Sequence, residues 1–434
     1  MGPAKPRRGY GRRSVTRHVV FIESNTSGTG ELFARRALEL DLAPTVIAAD
    51  HSRYRFDSID GVATITADTA DVVGLTALVR RLSRRAGPIV AVMSTSDYFV
   101  GRAADVARRL GLASPDPDAI ERCRDKTRQR GILAAAGVPS PEFRAATSMP
   151  DALVMARQLG YPVVCKPAVG SGSVGVRLCA DPDELGEHVQ RLLGSAVTER
   201  GAAVKREVLL EQFVAGDEYS IEIVGERIQA VVRKRLGAQP HFVEVGHDYP
   251  AQLPERAAQQ LTQAACDAVR ALALADGPTH VEARMGSGGV RIIEVNPRLA
   301  GGRIPVLVQR SGGADLIAAT ILTALGEPVA EPPDVTLHGA LRFVVASGSS
   351  VAGHVAPQLV GDHGWWEAAM YVAPGTVVQE RQDFRDRVGH AIACCPSAAE
   401  AEQAAASRAA RLATTLIPTP PPAVRRAAER LARA

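Results

Sequence analysis

The run THVEARMGSGGVRIIEVNPRLAGGR, residues 279–303, reads as two strands joined by the turn GSGG and followed by a glycine-rich exit. Side chains alternate faces along a strand, so Glu294 and Asn296 share one side of the second strand. On the first strand, Glu282 stands between His280 and Arg284 at the same alternation. If the strands pair through GSGG, Glu282 comes close to Glu294. Two carboxylates and an amide oxygen on an otherwise apolar sheet form a hard-oxygen set suited to Mg²⁺ on a triphosphate. Either acid alone reads as a solvated strand residue paired with Arg284 or Arg291. Arg298 follows at once, and a guanidinium there can offset charge in a phosphoryl or tetrahedral transition state. Taken singly, it is a surface arginine at a helix-starting turn. The glycine pair after it lets an anion approach the backbone.

Upstream, KPAVGSGSVGV (166–176) places Lys166 at a strand end before a loop carrying Gly170, Ser171, Gly172, Ser173 and Gly175. Such a loop can close over phosphates with its N–H groups. No GK[ST] ends it, so it is not a Walker A loop; a Gly/Ser loop by itself is usually a hairpin connection. LLEQFVAGDEYSIEI (209–223) is an apolar strand with Glu211, Gln212, Phe213 and Val214, a tight turn, and then Glu218. A strand edge can read adenine through its backbone and a carboxylate can take ribose hydroxyls, though alone this is a hairpin. Cys165 beside Lys166 reads as a buried strand residue, because no histidine is near it in sequence.

The whole chain has 434 residues, 46% hydrophobic and 23% charged, which suits two or three globular domains. Aromatic content of 4% argues against a base-stacking platform. Of the net +4, six positive charges sit in the first 17 residues, which leaves −2 for the rest and excludes a polyanion binder. That start reads as a disordered basic extension. Residues 18–116 alternate strands (near 19–22, 44–49, 63–67 and 88–94) with helices, one of them after the turn SNTSGTG (24–30). This pattern predicts a small Rossmann-like parallel sheet covered on both faces. GxGxxG is absent, so the turn is structural or faces a substrate. Residues 117–330 open on a helix from Asp118 to Ala136 and continue with short adjacent strands, which implies antiparallel pairing in an α+β domain. Residues 331–434 form a further α+β segment with an Ala-rich helix near 397–416, a PTPPP break and a short basic helix. Six cysteines without CxxC spacing, and no run of eighteen apolar residues, predict a reduced cytoplasmic protein without a membrane span.

The ordered set Lys126 in RDKTRQRGILAAAGVPSP, Lys166 with its loop, Glu211 to Glu218, then Glu282, Glu294, Asn296 and Arg298 closely resembles the ATP-grasp superfamily over 117–330. The resemblance implies ATP between two α+β subdomains. Lys126, Lys166 and the loop Gly170, Ser171, Gly172, Ser173 would contact phosphates. Glu211, Gln212, Phe213 and Val214 would hold adenine, and Glu218 the ribose. Glu282, Glu294 and Asn296 would ligate two Mg²⁺ ions, with Mn²⁺ as a substitute, and Arg298 would steady the phosphorylated intermediate. ESNTSGTG near the start and the tail from LRFVVASGSSVAGHV to CCPSAAEAE look like the L-amino-acid ligase branch, whose members join a carboxylate to an amine. The resemblance therefore implies an ADP-forming ligase acting through an acyl phosphate on small-molecule, amino-acid-like substrates, with homodimers among its relatives. HFVEVGHDYPA (241–251) falls where these ligases place a substrate-facing loop. His247 there is the candidate base for the amine, with His241 and Glu244 as near equals. Two rivals are a purine-pathway or biotin-carboxylase-type ATP-grasp ligase, and a nucleotide-binding protein without catalysis.

Overall fold

The computed structural model describes residues 16–26, 28–195, 205–354, 358–359 and 365–419. Of the basic extension expected over residues 1–17, residues 1–15 lie outside the described residues and Arg17 already opens the first strand; the closing helix after residue 419 also lies outside the described residues. The chain divides into two units at Ser114/Pro115.

The first unit runs β1 (Arg17–Ile22), α1 (Thr29–Glu39), β2 (Leu42–Ala48), β3 (Ala63–Thr66), α2 (Val72–Ala86), β4 (Ile89–Met93) and α3 (Val100–Arg109). Its strands form one parallel sheet in the order β3-β2-β1-β4. Alternation along β1 sends Val20 and Ile22 toward Leu75 and Val79 of α2 and Val106 of α3. Phe21 points the other way and meets the Phe33 ring of α1 edge-on at 6.3 Å. Both faces are thus covered, as the unbroken apolar strands require. The SNTSGTG turn is built by close approach: a Cβ on Gly30 would stand 1.8 Å from the Ser24 hydroxyl. Asn25 Oδ1 accepts the Thr29 N–H at 3.1 Å across the turn.

The second unit starts with α4 (Pro117–Arg124) and α5 (Lys126–Ala135). The single helix expected over 118–136 is therefore broken. Asp125 is extended (φ −82°, ψ 104°), and its carboxylate accepts the N–H groups of Thr127 and Arg128. Aspartate is a better cap than helix-interior residue, because its oxygen satisfies amides that have no partner inside the helix. Lys126 consequently becomes the first residue of α5.

Next come β5 (Phe143–Ala146), α6 (Met149–Leu159), β6 (Val163–Pro167), β7 (Arg177–Cys179), α7 (Pro182–Gly194) and β8 (Val208–Gln212). They make a four-stranded antiparallel sheet, β5-β8-β6-β7, with α6 and α7 packed on Cys165, Leu210 and Val163. Cys165 is fully buried there, and burial pushes its thiol well above the usual value.

The remaining elements are β9 (Asp217–Val224), β10 (Arg227–Leu236), β11 (Glu244–Tyr249), α8 (Glu255–Ala271), β12 (Pro278–Gly286), β13 (Gly289–Asn296), α9 (Ile304–Arg310), α10 (Leu316–Ala324), β14 (His338–Val345), β15 (Ser349–Ala352), β16 (Gln358–Leu359), β17 (Trp365–Met370), β18 (Val377–Gln379), β19 (Arg387–Cys395), α11 (Ala398–Ala413) and β20 (Leu416–Pro418). Nine of these strands form one antiparallel sheet in the order β13-β12-β9-β10-β11-β14-β19-β17-β16. The strands after residue 331 thus extend the sheet of the preceding block, joined through β11 and β14. Residues 244–249, expected in a loop, are an interior strand. The reason is a neighbour remote in sequence: β14 satisfies their second row of backbone groups. Among the described residues no helix is long and apolar enough to cross a membrane, and all six cysteines are unpaired.

Candidate functional site

Within the second unit, an open cleft of about 890 Å³ lies between the four-stranded sheet and the long sheet. Lys126, Lys166, Gly170 to Ser173, Glu211 to Val214, Glu218, Glu282, Glu294, Asn296 and Arg298 all line it. His247 does not.

Strand register brings the acids together. β12 and β13 are antiparallel, and Glu282 stands directly opposite Glu294, while Asn296 stands opposite His280. The bland pairing with Arg284 and Arg291 does not occur. Arg284 donates to Glu218 at 2.8 Å, and Arg291 to the carbonyls of Gly288 and Val290. Glu294 instead accepts from the Lys126 ammonium at 2.9 Å, which also reaches the Gly170 carbonyl at 2.7 Å. Glu282 accepts from Lys234 at 2.8 Å and from His280 Nε2 at 3.0 Å. Burial alone would raise the Glu282 carboxyl, but Lys234 and His280 outweigh it and hold it well below the usual range.

His280 is itself clamped, donating from Nδ1 to Glu222 at 2.6 Å. Burial disfavours its charge, yet Glu222 and Glu282 prevail and push its pKa up to about 10, so the ring is an imidazolium at neutral pH. Glu222 also accepts the Ala300 N–H at 3.1 Å, which ties the Arg298–Gly302 turn to the same network.

The oxygen set suits a divalent cation chemically, because two carboxylates and an amide oxygen face one cleft. Both acids already hold ammonium partners, so an arriving ion would replace charge that Lys126 and Lys234 now supply. Among the described residues, no three His, Cys, Asp or Glu side chains converge as a ready-made ion cage.

Glu211 is buried in a charge triad. Its carboxylate accepts from Arg130 Nε at 2.6 Å and lies 2.7 Å from the Lys166 ammonium. Burial raises this carboxyl, but Arg130 and Lys166 outweigh it and leave it below the usual range. Lys166 is lowered, by burial first, despite Glu211. The Glu211 side chain is thus engaged, and the run's backbone and Phe213 are what remain for a flat ring. Phe213 lies 6.5 Å from Phe242, and the Arg284 guanidinium lies over both rings.

Sequence reasoning missed Lys234, which is buried within 2.8–2.9 Å of Glu218, Glu244 and Glu282. Burial opposes its charge, but the three acids raise its pKa well above the ordinary lysine value. Alternation held the signal: in Arg233-Lys234-Arg235, the middle residue faces away from its two neighbours.

His247 sits in β11 and is completely buried. Neither ring nitrogen has a hydrogen-bond partner among the described residues, and Glu244 Oε2 is 3.8 Å away. Its edge meets the Phe343 ring at 5.6 Å. Burial, reinforced by Lys234 and Arg387, lowers its pKa to about 4 although Glu244 pulls the other way. We expect the ring, followed by carbon-13 shifts in labelled protein, to stay neutral from pH 8 down to about 4. A midpoint near 6.5 would mean that water reaches it freely. Gly302 closes the other side at φ +59°; a Cβ there would be 3.0 Å from His247 Nε2 and 3.5 Å from Glu244 Oε2.

Residues 159–306 match the ATP-grasp domain, and residues 343–416 match the L-amino acid ligase C-terminal domain 2. An uncharacterised protein of Sinorhizobium fredii is 34% identical over 388 residues, 89% of this chain and 80% of that one. Carnosine synthase 1 of Mus musculus is 31% identical over 253 residues, which cover 54% of this chain and 31% of that enzyme. The crystal structure of an L-amino acid ligase from Bacillus licheniformis superposes with a TM-score of 0.74 at 21% identity, covering 94% of this chain and all of that one.

Proposed function

The chain belongs to the ATP-grasp superfamily, in its L-amino-acid-ligase-like branch, and from that premise we propose that it joins a small carboxylate to an amine at the expense of ATP. The observation that carries this reading is the register of β12 on β13. It sets Glu282, Glu294, Asn296 and Arg298 in one cleft with Lys126 and Lys166.

In this reading Lys126, Lys166 and the loop N–H groups bind the phosphates, Glu218 the ribose, and the 211–214 backbone the adenine. Glu282, Glu294 and Asn296 hold Mg²⁺, which when bound neutralises the triphosphate and aligns the transferring phosphoryl group. A carboxylate oxygen attacks the γ-phosphorus, the bond to the β-phosphate oxygen breaks, and ADP leaves. Phosphorylation matters because a carboxylate is a poor electrophile, whereas an acyl phosphate carries a good leaving group. The amine nitrogen then attacks the acyl carbonyl, phosphate departs, and the amine's extra proton passes to a base. Arg298 offsets charge in both steps. His247 is the proposed proton acceptor, working through Glu244, which lines the cleft 3.8 Å from His247 Nε2. The buried ring, with a pKa of about 4, is a weak base at rest and takes the proton only if substrate binding raises its basicity. The C-terminal match over 343–416 favours amino-acid-like substrates over the bicarbonate or formate of other ATP-grasp ligases. Residues 18–116, 117–330 and 331–434 serve as the pre-ATP-grasp, ATP-grasp and C-terminal domains. The unpaired cysteines suit a cytoplasmic enzyme.

The test is incubation with MgATP and pooled amino acids, resolving nucleotide products and new masses together. ADP, phosphate and a condensed mass are expected. AMP with pyrophosphate would overturn the acyl-phosphate route, and bicarbonate-dependent ADP would move the enzyme to the carboxylase type. A second expectation concerns Gly302→Val. Its side chain would crowd His247, Arg387 and Glu244 at a backbone angle that favours glycine. KM for the amine should rise at least ~10-fold while nucleotide affinity is retained. Equal losses for both would place Gly302 outside the amine pocket.

A further inference from the structure

A ring from the C-terminal segment reaches the glycine loop. Gly172 has φ +67°, and a Cβ on it would stand 2.5 Å from the Phe384 ring, so the ring lies on the loop's backbone. The Phe384 N–H also donates to the Gly172 carbonyl at 3.2 Å. Phe384 begins the 3-10 turn Phe384–Asp386. Two buried carboxylates hold that turn. Asp386 accepts the N–H groups of Arg381 and Gln382 at 2.7 and 2.6 Å, and Asp383 accepts that of Arg385 at 2.9 Å. Backbone groups so engaged fix the turn that carries the ring.

The same turn reaches the opposite wall of the cleft. Arg387 Nε donates to the Phe384 carbonyl at 3.2 Å, and its Nη1 donates to Glu244 at 2.7 Å. Glu244 borders His247 and Gly302 and shares the Lys234 ammonium with Glu282. A continuous run of contacts therefore joins the phosphate loop to the amine-side wall through Phe384, Arg387 and Glu244.

We propose that Phe384 and Arg387 are positioning residues that latch the glycine loop to the amine-side wall, so that loop closure and a formed amine pocket come together. The proposal rests on the ligase reading given above. Its consequence concerns water. In the acyl phosphate one carbon–oxygen bond breaks, whichever nucleophile attacks: the amine yields amide and phosphate, and water yields carboxylate and phosphate. A loop held shut while the amine is bound excludes the second nucleophile.

Phe384→Ala and Phe384→Leu, made in the full chain, separate the possibilities. The ring is only half-buried and Asp383 and Asp386 remain, so the fold is expected to survive. Hydrogen exchange at 168–178, without substrates, should speed up about tenfold in Phe384→Ala and less in Phe384→Leu, with strand 163–167 unchanged. Unchanged loop exchange would overturn the latch whatever the enzyme's substrates are. The second measurement is ADP released per amide formed, expected to rise several-fold from near unity in Phe384→Ala. A purely structural loss would lower both products together and leave the ratio alone. A ratio still near unity alongside faster loop exchange would overturn the coupling to water exclusion. If the native chain makes no amide from any amine, the ligase reading falls, and the exchange measurement still decides the latch.

Discussion

Glu294→Ala is expected to lower ADP formation at saturating MgATP by at least ~10³-fold, the scale of losing a group that stabilises transferring charge. Glu294 stands opposite Glu282 and now holds the Lys126 ammonium. Its removal costs the proposed cation a carboxylate and leaves Lys126 without its partner for phosphate hand-over. Stability should fall as well, though far less than turnover. The two side chains are only 19% and 10% exposed, and Glu294→Ala leaves a largely buried ammonium that keeps the Gly170 carbonyl but loses its acid, a cost of about 1–3 kcal/mol. Urea denaturation should therefore show a lowered midpoint with the cooperative transition retained beside the kinetic collapse. Unchanged ATP turnover would remove Glu294 from the metal assignment and reopen the non-catalytic reading.

Glu211→Ala should behave in the opposite way, with stability failing first. Arg130 and Lys166 are 1% and 5% exposed, and Glu211 supplies the negative charge between them. Removing it leaves two buried cations facing each other, and breaking such a pair costs about 3–5 kcal/mol. Glu211→Gln should fall between, because the amide oxygen keeps one acceptor without the charge. The carboxyl is lowered in the folded state, so its contribution is full above the unfolded value of 4.5 and is lost as pH falls through the folded one. The urea midpoints of native and Glu211→Ala proteins should accordingly converge on acidification. A loss under about 1 kcal/mol at neutral pH would mean that water already screens the triad.

The contrast between these two acids follows from what was readable in the chain. Both were chosen for the cleft from the sequence, and both line it. Their partners were not readable. Lys126 and Glu294 are 168 residues apart, Arg130 and Glu211 are 81 apart, and both pairs depend on where α5 is seated. The helix break at Asp125, which seats it, had a visible signal in the capping preference of aspartate, yet the helical periodicity on both sides concealed it.

What the sequence determined by itself is local. Two-residue alternation put Glu294 and Asn296 on one face, and the turn GSGG paired the two strands. Counted from that turn Glu282 would face Ile293, and the register shift between Glu282 and Ala283 brings it opposite Glu294. Glycine spacing marked the phosphate loop, and apolar runs separated by helices marked the parallel sheet of the first unit. Tertiary structure alone decided which strands became neighbours. Pairing with β14 turned the expected loop around His247 into a sealed strand, and β9 and β12 surrounded Lys234 with acids. The physical reason is that periodicity tells which face a side chain takes, whereas burial and charge depend on what stands across from that face. That neighbour is chosen by the packing of the whole sheet.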